Sequence, residues 1–116
     1  MRYRKFRIQD LLREEISTII QRELRDPGIG FVTIVDVKMS EDLRQAKIYY
    51  TVYGSDEDWQ KTKEAFERSK GYIKFLLGKR IRIKYMPELS FFPDKSYERM
   101  LRIEEILTRR RDDREN

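Results

Sequence analysis

The sequence predicts a two-layer α+β domain with elements in the order α-β-β-α-α-β, followed by one more helix. Three observations carry that prediction. Apolar residues recur at three- and four-residue steps in residues 6–24 and again from Trp59 to Leu77, the spacing that lines one face of a helix. Apolar and polar residues alternate in 31–39, 45–52 and 79–86, the period of a half-buried strand. Turn residues separate these runs, and three strands can bury one face beneath helices.

The first helix spans 6–24, with Ile8, Leu11, Leu12, Ile16, Ile19, Ile20 and Leu24 forming its apolar face. Asp26-Pro27-Gly28 stops it, because proline cannot continue the hydrogen-bond ladder and glycine supplies the turn. Arg2, Arg4, Lys5 and Arg7 precede or open this helix, either as an RNA-touching arm or as a solvated start. The first strand, 31–39, sets Phe31, Val35, Val37 and Met39 against Val32, Ile34, Asp36 and Lys38. After Ser40-Glu41-Asp42, Ala46, Ile48, Tyr50 and Val52 alternate with Gln45, Lys47, Tyr49 and Thr51. The short connection predicts an antiparallel hairpin with one wet face, where Tyr49 and Tyr53 either stack on a base or pack across strands.

Gly54 closes the hairpin, and Ser55-x-x-Asp58 has the spacing of a capping box at the next helix start. Trp59, Phe66, Ile73 and Leu77 fall within roughly 40° of one another on a helix. Lys70 lands in that same stripe and Phe75 nearly opposite it. A bend at Ser69-Lys70-Gly71 would resolve both conflicts, leaving a short second helix from near Tyr72 whose amino end could hold a phosphate. The plain alternative is a helix that tolerates one misplaced lysine. Gly78 is the expected C-cap. The third strand, Lys79 to Met86, sets Ile81, Ile83 and Tyr85 against Arg80, Arg82 and Lys84, and Pro87 ends it. Leu89, Phe91 and Phe92 form an apolar loop, and Asp94 or Ser96 caps a last helix whose Met100, Ile103 and Leu107 share a face. Residues 109–116 are charged, with nothing to pack, and read as a disordered tail after one domain at 1–108.

Composition narrows the function. The chain has 116 residues, 41% charged, with no cysteine and no histidine. Disulfides and thiol chemistry are thereby excluded, and so is the usual general base near neutral pH. Neighbouring carboxylates such as Glu41-Asp42 and Glu104-Glu105 read as ordinary solvated pairs, and no phosphate loop, dinucleotide fingerprint or serine elbow occurs. The expectation is a protein that is not an enzyme and takes no metal or cofactor. No apolar run approaches a membrane span and no signal-peptide core opens the chain, so a cytoplasmic protein without membrane contact is expected. Net charge is +5, but residues 59–86 alone carry nine basic and two acidic groups. Such a concentration attracts phosphate backbones. The charge pattern makes Lys70, Lys74, Lys79, Arg80, Arg82 and Lys84 candidate RNA contacts, together with Arg2, Arg4, Lys5 and Arg7. A protein-binding adaptor using Leu89-Ser90-Phe91-Phe92 and the acidic hairpin is the competing reading.

Between Ile8 and Leu107 the chain carries Asp26-Pro27, Val32-Thr33, Ser40-x-Asp42-Leu43, Ala46-x-Ile48, Val52-x-Gly54, Gly71-x-Ile73-Lys74, Leu77-Gly78, Pro87-Glu88-Leu89 and Asp94-x-Ser96-x-Glu98. In this order and spacing they resemble the bacterial ribosome-binding factor A family. The resemblance implies a type II KH-like RNA-binding domain in which a kinked helix–helix replaces the usual Gly-x-x-Gly loop. The family's Ala-x-Gly at the kink falls on Ser69-Lys70-Gly71, with serine a departure. It further implies an assembly factor, expected to be a monomer when free, that binds the small ribosomal subunit and its 16S rRNA during late 30S maturation, assists rRNA processing and supports growth in the cold. A structural ribosomal protein is the related alternative.

Overall fold

The computed structural model describes residues 2–115, without the side chains of Arg2, Tyr97, Glu98, Met100, Leu101 and residues 110–115. Helix α1 (Arg2–Arg22) begins earlier than its apolar periodicity suggests. Arg4, Lys5 and Arg7 therefore lie on the helix itself and form no separate arm; the side chain of Arg2 lies outside the described residues. Leu12, Ile16, Ile19 and Ile20 are buried, and Ile8 and Leu24 pack at the margin; Leu11, expected on the same face, is exposed. The Asp26-Pro27-Gly28 turn follows as expected, with an Asp26 carboxylate oxygen accepting the Gly28 N–H at 2.9 Å.

Strands β1 (Phe31–Met39) and β2 (Gln45–Tyr53) pair antiparallel from Phe31↔Tyr53 to Met39↔Ala46. A bulge at Val35 interrupts β1, since Ile34 pairs with Tyr50 and the next pair is Asp36 with Tyr49. This extra residue resets the alternation. Val32 and Ile34 thus face the core together with Val37 and Met39, while Phe31 is exposed. The expected grouping of Phe31 and Val35 with Val37 and Met39 is corrected by that one residue. In β2 the inward set Ala46, Ile48, Tyr50 and Val52 is as expected. The connecting turn holds Leu43 at φ 62°, a left-handed conformation that costs a non-glycine residue about 1–2 kcal/mol. Leu43 packs against the core margin, and Asp42 braces the turn by accepting from the Ser40 hydroxyl (2.6 Å) and the Arg44 N–H (3.1 Å).

Helix α2 (Asp56–Arg80) opens on the expected capping box: Ser55 N–H donates to Asp58 at 2.8 Å and Asp58 N–H to the Ser55 hydroxyl oxygen at 3.2 Å. It then continues as one helix through Ser69-Lys70-Gly71, so the separate short helix near Tyr72, and its free amino end, do not form. The conflicts that suggested a break are resolved differently. Thr62, Ala65 and Ser69 fill the buried stripe beside Trp59, Phe66, Ile73 and Leu77; Lys70 sits half-buried at its edge, and Phe75 is left exposed. Gly78 lies inside the helix, which is capped by Ile81, whose N–H reaches the Leu77 carbonyl at 3.0 Å.

The third strand is also displaced. Strand β3 (Glu88–Pro93) lies parallel to β2, with Ala46↔Leu89 and Ile48↔Phe91 in register. Residues 79–86 form no strand: Lys79 and Arg80 end α2, and 81–86 are the connection to β3. The expected apolar loop is the strand itself. Leu89 is fully buried, and Phe91 stacks on Phe66 with ring centroids 4.5 Å apart. Pro87 leads into the strand and does not end the previous one. The sheet order is β1-β2-β3, and α1 and α2 pack together against one side of it.

Helix α3 spans Ser96–Glu115, its entry held by an Asp94 carboxylate oxygen that accepts the Ser96 N–H at 2.9 Å. Ile103 and Leu107 are exposed and do not join the core. Met100, expected on the same face, lies outside the described side chains. Residues 109–115, expected as a disordered tail, continue α3, and Asn116 lies outside the described residues.

Candidate nucleic-acid interface

The basic residues fall into three groups according to what they touch, with Lys74 shared by two of them. In the first, the early turns of α1 meet the connection between α2 and β3. Ile81 is buried, and Ile83 and Met86 are partly buried against the core; this alternation pins the connection and turns Arg82 and Lys84 outward. There they share an open depression of about 560 Å³ with Arg4, Arg7 and Ile8. Asp10 and Glu14 form part of its wall. An adjoining hollow of about 200 Å³ adds Arg44 from the β1–β2 turn and Tyr85. Tyr85 is exposed, with the Lys84 ammonium 5.4 Å from its ring centre. The alternation that suggested a basic strand face thus survives without a strand, and it brings Arg82 and Lys84 to Arg4 and Arg7. Arg44 and Tyr85 were not singled out in the sequence. The early turns of α1 and this connection are remote in the chain, and only the third dimension joins them.

The second group lines the outer side of α2. Lys74 and Lys79 flank a shallow depression with Gly71, Phe75 and Gly78. The Lys79 ammonium sits 4.5 Å above the centre of Phe75, a cation–π placement, and Tyr72 stacks beside Phe75 at 6.5 Å. Lys70 lies one turn away, half-buried. No atom would crowd a side chain added at Gly71, so this surface is open.

The third group is engaged within the molecule. Arg80 is drawn inward by two glutamates of α1: its guanidinium donates to Glu15 at 3.2 Å and also to Glu23. Glu23 first, then Glu15, holds the Arg80 guanidinium above the ordinary arginine range. Arg80 ties α1 to α2. Lys5 pairs with Glu41 at 2.7 Å and Lys74 with Glu88; the Lys74 ammonium keeps the Glu88 carboxyl below its usual value.

Ser69 has a clear structural partner. Its hydroxyl donates to Asp26 at 3.3 Å, and Arg68 grips the same carboxylate through Nη2 (2.9 Å) and Nε (3.3 Å). The Arg68 guanidinium, followed by the Gly28 N–H, lowers the Asp26 pKa. One carboxylate therefore fastens the turn after α1 to the middle of α2. Among the described residues no group of three or more histidine, cysteine, aspartate or glutamate side chains could hold a metal ion, and no helix is long and apolar enough to cross a membrane.

Two helices on one side of a small mixed sheet, with arginines and lysines from three separate segments turned onto one rim, define a small α+β protein with a basic rim. Residues 4–107 match the family model described as ribosome-binding factor A, and the chain belongs to that family. It is 43% identical over 115 residues to ribosome-binding factor A of Halothermothrix orenii, covering 99% of this chain and 94% of the relative. Its fold is similar to the crystal structure of ribosome-binding factor A from Thermus thermophilus, with a TM-score of 0.70 and 23% identity, covering 79% of this chain and 97% of that one. A Thermus thermophilus homology model fitted into the cryo-EM map of a 30S–RbfA complex superposes with a TM-score of 0.63 at 24% identity, covering 75% of this chain and 91% of that one.

Proposed function

We infer that this protein is a non-catalytic RNA-binding assembly factor of the small ribosomal subunit. In this reading it holds 16S rRNA during late 30S maturation, assists rRNA processing and favours growth in the cold, working as a cytoplasmic monomer through a type II KH-like domain at residues 1–108. The convergence of Arg4, Arg7, Arg82 and Lys84 on one depression carries it, supported by membership of the family and by the relative fitted into a 30S complex. Guanidinium and ammonium groups set around a concave rim neutralise phosphates, while the shape of the rim selects folded RNA over generic duplex. Lys70 and Lys79 extend the contact along α2. Arg80, Lys5 and Lys74 contribute by holding the surface in shape, since their charges are already paired. In this reading α2, continuous from Asp56 to Arg80, stands where the KH-like domain would carry its Gly-x-x-Gly loop.

The adaptor reading loses its main element, because Leu89 is buried in the core and Phe91 packs against it. Cosedimentation with small subunits over a salt series tests the remaining one. Combined Arg4→Glu, Arg7→Glu, Arg82→Glu and Lys84→Glu should weaken association by about tenfold or more and flatten its salt dependence, with unchanged circular dichroism. Undiminished binding by the folded variant would move the RNA site off this rim. Stoichiometric retention in mature particles after a high-salt wash would instead mark a structural ribosomal protein.

A further inference from the structure

The helices α1 and α2 cover one side of the sheet, and the other side carries a row of rings and lysines that the rim does not use. Phe31 and Tyr53 are direct cross-strand partners at one end of the hairpin, 81% and 86% exposed. Toward the other end, Tyr49 and Phe92 are partners across β2 and β3, their rings stacked at 5.8 Å with Phe92 exposed. Next to them Lys38 and Lys47 stand directly opposite each other. Like charges in that position repel. Lys38 also lies 5.5 Å from the centre of the Tyr49 ring and close enough to Asp94 to help lower its pKa. Asp36 shares this side of the sheet, with one carboxylate oxygen occupied by the Val37 N–H at 2.9 Å.

We propose that this open sheet face binds a short tract of single-stranded RNA, with a phosphate between Lys38 and Lys47 and bases stacked on the Phe92–Tyr49 and Phe31–Tyr53 ring pairs. The proposal rests on the RNA-binding reading above but uses the opposite side of the sheet from α1 and α2. A bridging phosphate relieves the Lys38–Lys47 repulsion, and exposed rings next to cations form the platform on which unpaired bases stack without regard to sequence. Tyr49 and Tyr53 lie about 13 Å apart along β2, far enough to engage two separate bases. A duplex keeps its bases stacked internally and offers no ring face to this surface. The acidic groups Glu41-Asp42 and Asp56-Glu57-Asp58, beyond the two ends of the hairpin, bound the tract to the stretch from the Phe31–Tyr53 pair to the Lys38–Lys47 pair.

The experiment measures fluorescence anisotropy of labelled decauridylate and of an RNA duplex of equal length, with the full chain and its variants. Phe31→Ala combined with Tyr53→Ala should weaken decauridylate binding by about tenfold and leave duplex binding unchanged. Tyr53→Phe should retain wild-type affinity, because the ring persists. Lys38→Gln combined with Lys47→Gln should weaken single-strand binding and reduce its salt slope. These side chains lie outside the core, so thermal melts should report intact folding; if the aromatic variant does not fold, the lysine pair decides the outcome. Unchanged decauridylate binding in the folded variants overturns the proposal, as does an equal loss on both probes. Loss of small-subunit association with decauridylate binding intact would assign the face to a protein and also overturn it. The Arg4, Arg7, Arg82 and Lys84 reversal should still bind decauridylate, which separates this surface from the rim.

Discussion

Gly71 and Tyr50 are single residues at which chemistry and position pull in different directions. Gly71 lies within an unbroken helix, and a side chain added there meets nothing within 4 Å. Its backbone is not in the left-handed region. Gly71→Ala should therefore stabilise the fold by roughly 0.5–1 kcal/mol, through lower unfolded-state entropy and better helix propensity. Urea denaturation at constant slope checks it, and destabilisation would mean that α2 bends at this point. Tyr50 is fully buried between Trp59 and Phe66, and its hydroxyl has no hydrogen-bond partner among the described residues. Burial, with a smaller contribution from Glu67, raises its pKa. Tyr50→Phe keeps the ring and removes the unsatisfied group, so stability should be unchanged or gain about 1 kcal/mol. A marked loss in thermal unfolding would show that the hydroxyl has a partner in solution.

The start of α2 is an element where local sequence governs local structure. Ser55 and Asp58 satisfy each other's backbone N–H groups, and Asp56, Glu57 and Asp58 suit the positive end of the helix dipole. Ser55→Ala should cost about 0.5–2 kcal/mol in chemical denaturation, with early amide exchange confined to the first turn. This cap was legible in four residues, as were the hairpin with its inward Ala46, Ile48, Tyr50 and Val52, and the apolar face of α1. Signals of that kind are local: period, cap, turn. Val35 shows where they fail, because a bulge is defined by its partner strand and no residue of β1 announces it. Strand β3 fails for a related reason. Ile81, Ile83 and Tyr85 alternate as well as any strand, yet Glu88–Pro93 takes the place beside β2, and only pairing distinguishes them. The basic rim was half legible. Arg4, Arg7, Arg82 and Lys84 were named individually and Arg44 was not, and their meeting depends on Ile83 packing near Ile8 at the core margin.

For the whole molecule, the absence of histidine and cysteine removes every side chain that ordinarily titrates between about pH 6 and 8. Asp26, Asp42, Asp58, Glu88 and Asp94 all have lowered pKa values, chiefly from Arg68, Ser40, Ser55, Lys74 and Ser96 respectively. Each such group stabilises the fold above its unfolded value, 3.8 for aspartate and 4.5 for glutamate, and that stability is lost as pH falls through the folded value. Tyr50 acts with the opposite sense: its raised pKa favours the fold below its ordinary value of 10.0, and the advantage fades as pH rises beyond it. Stability should accordingly be flat from about pH 6 to 9, falling at both extremes; a titration of melting temperature against pH checks this, and a slope near pH 7 would contradict it. The central place of β2 has a consequence for how the chain is made. One of its neighbours, β1, precedes it in the chain, but the other follows a 25-residue helix. As the polypeptide leaves the ribosome, α1 and the hairpin can dock early, while Ile48 and Phe66 remain uncovered on the side that Leu89 and Phe91 fill. Cotranslational folding must therefore wait for the parallel strand to emerge, and during that interval the nascent protein presents a greasy seam of its own to whatever stands nearby.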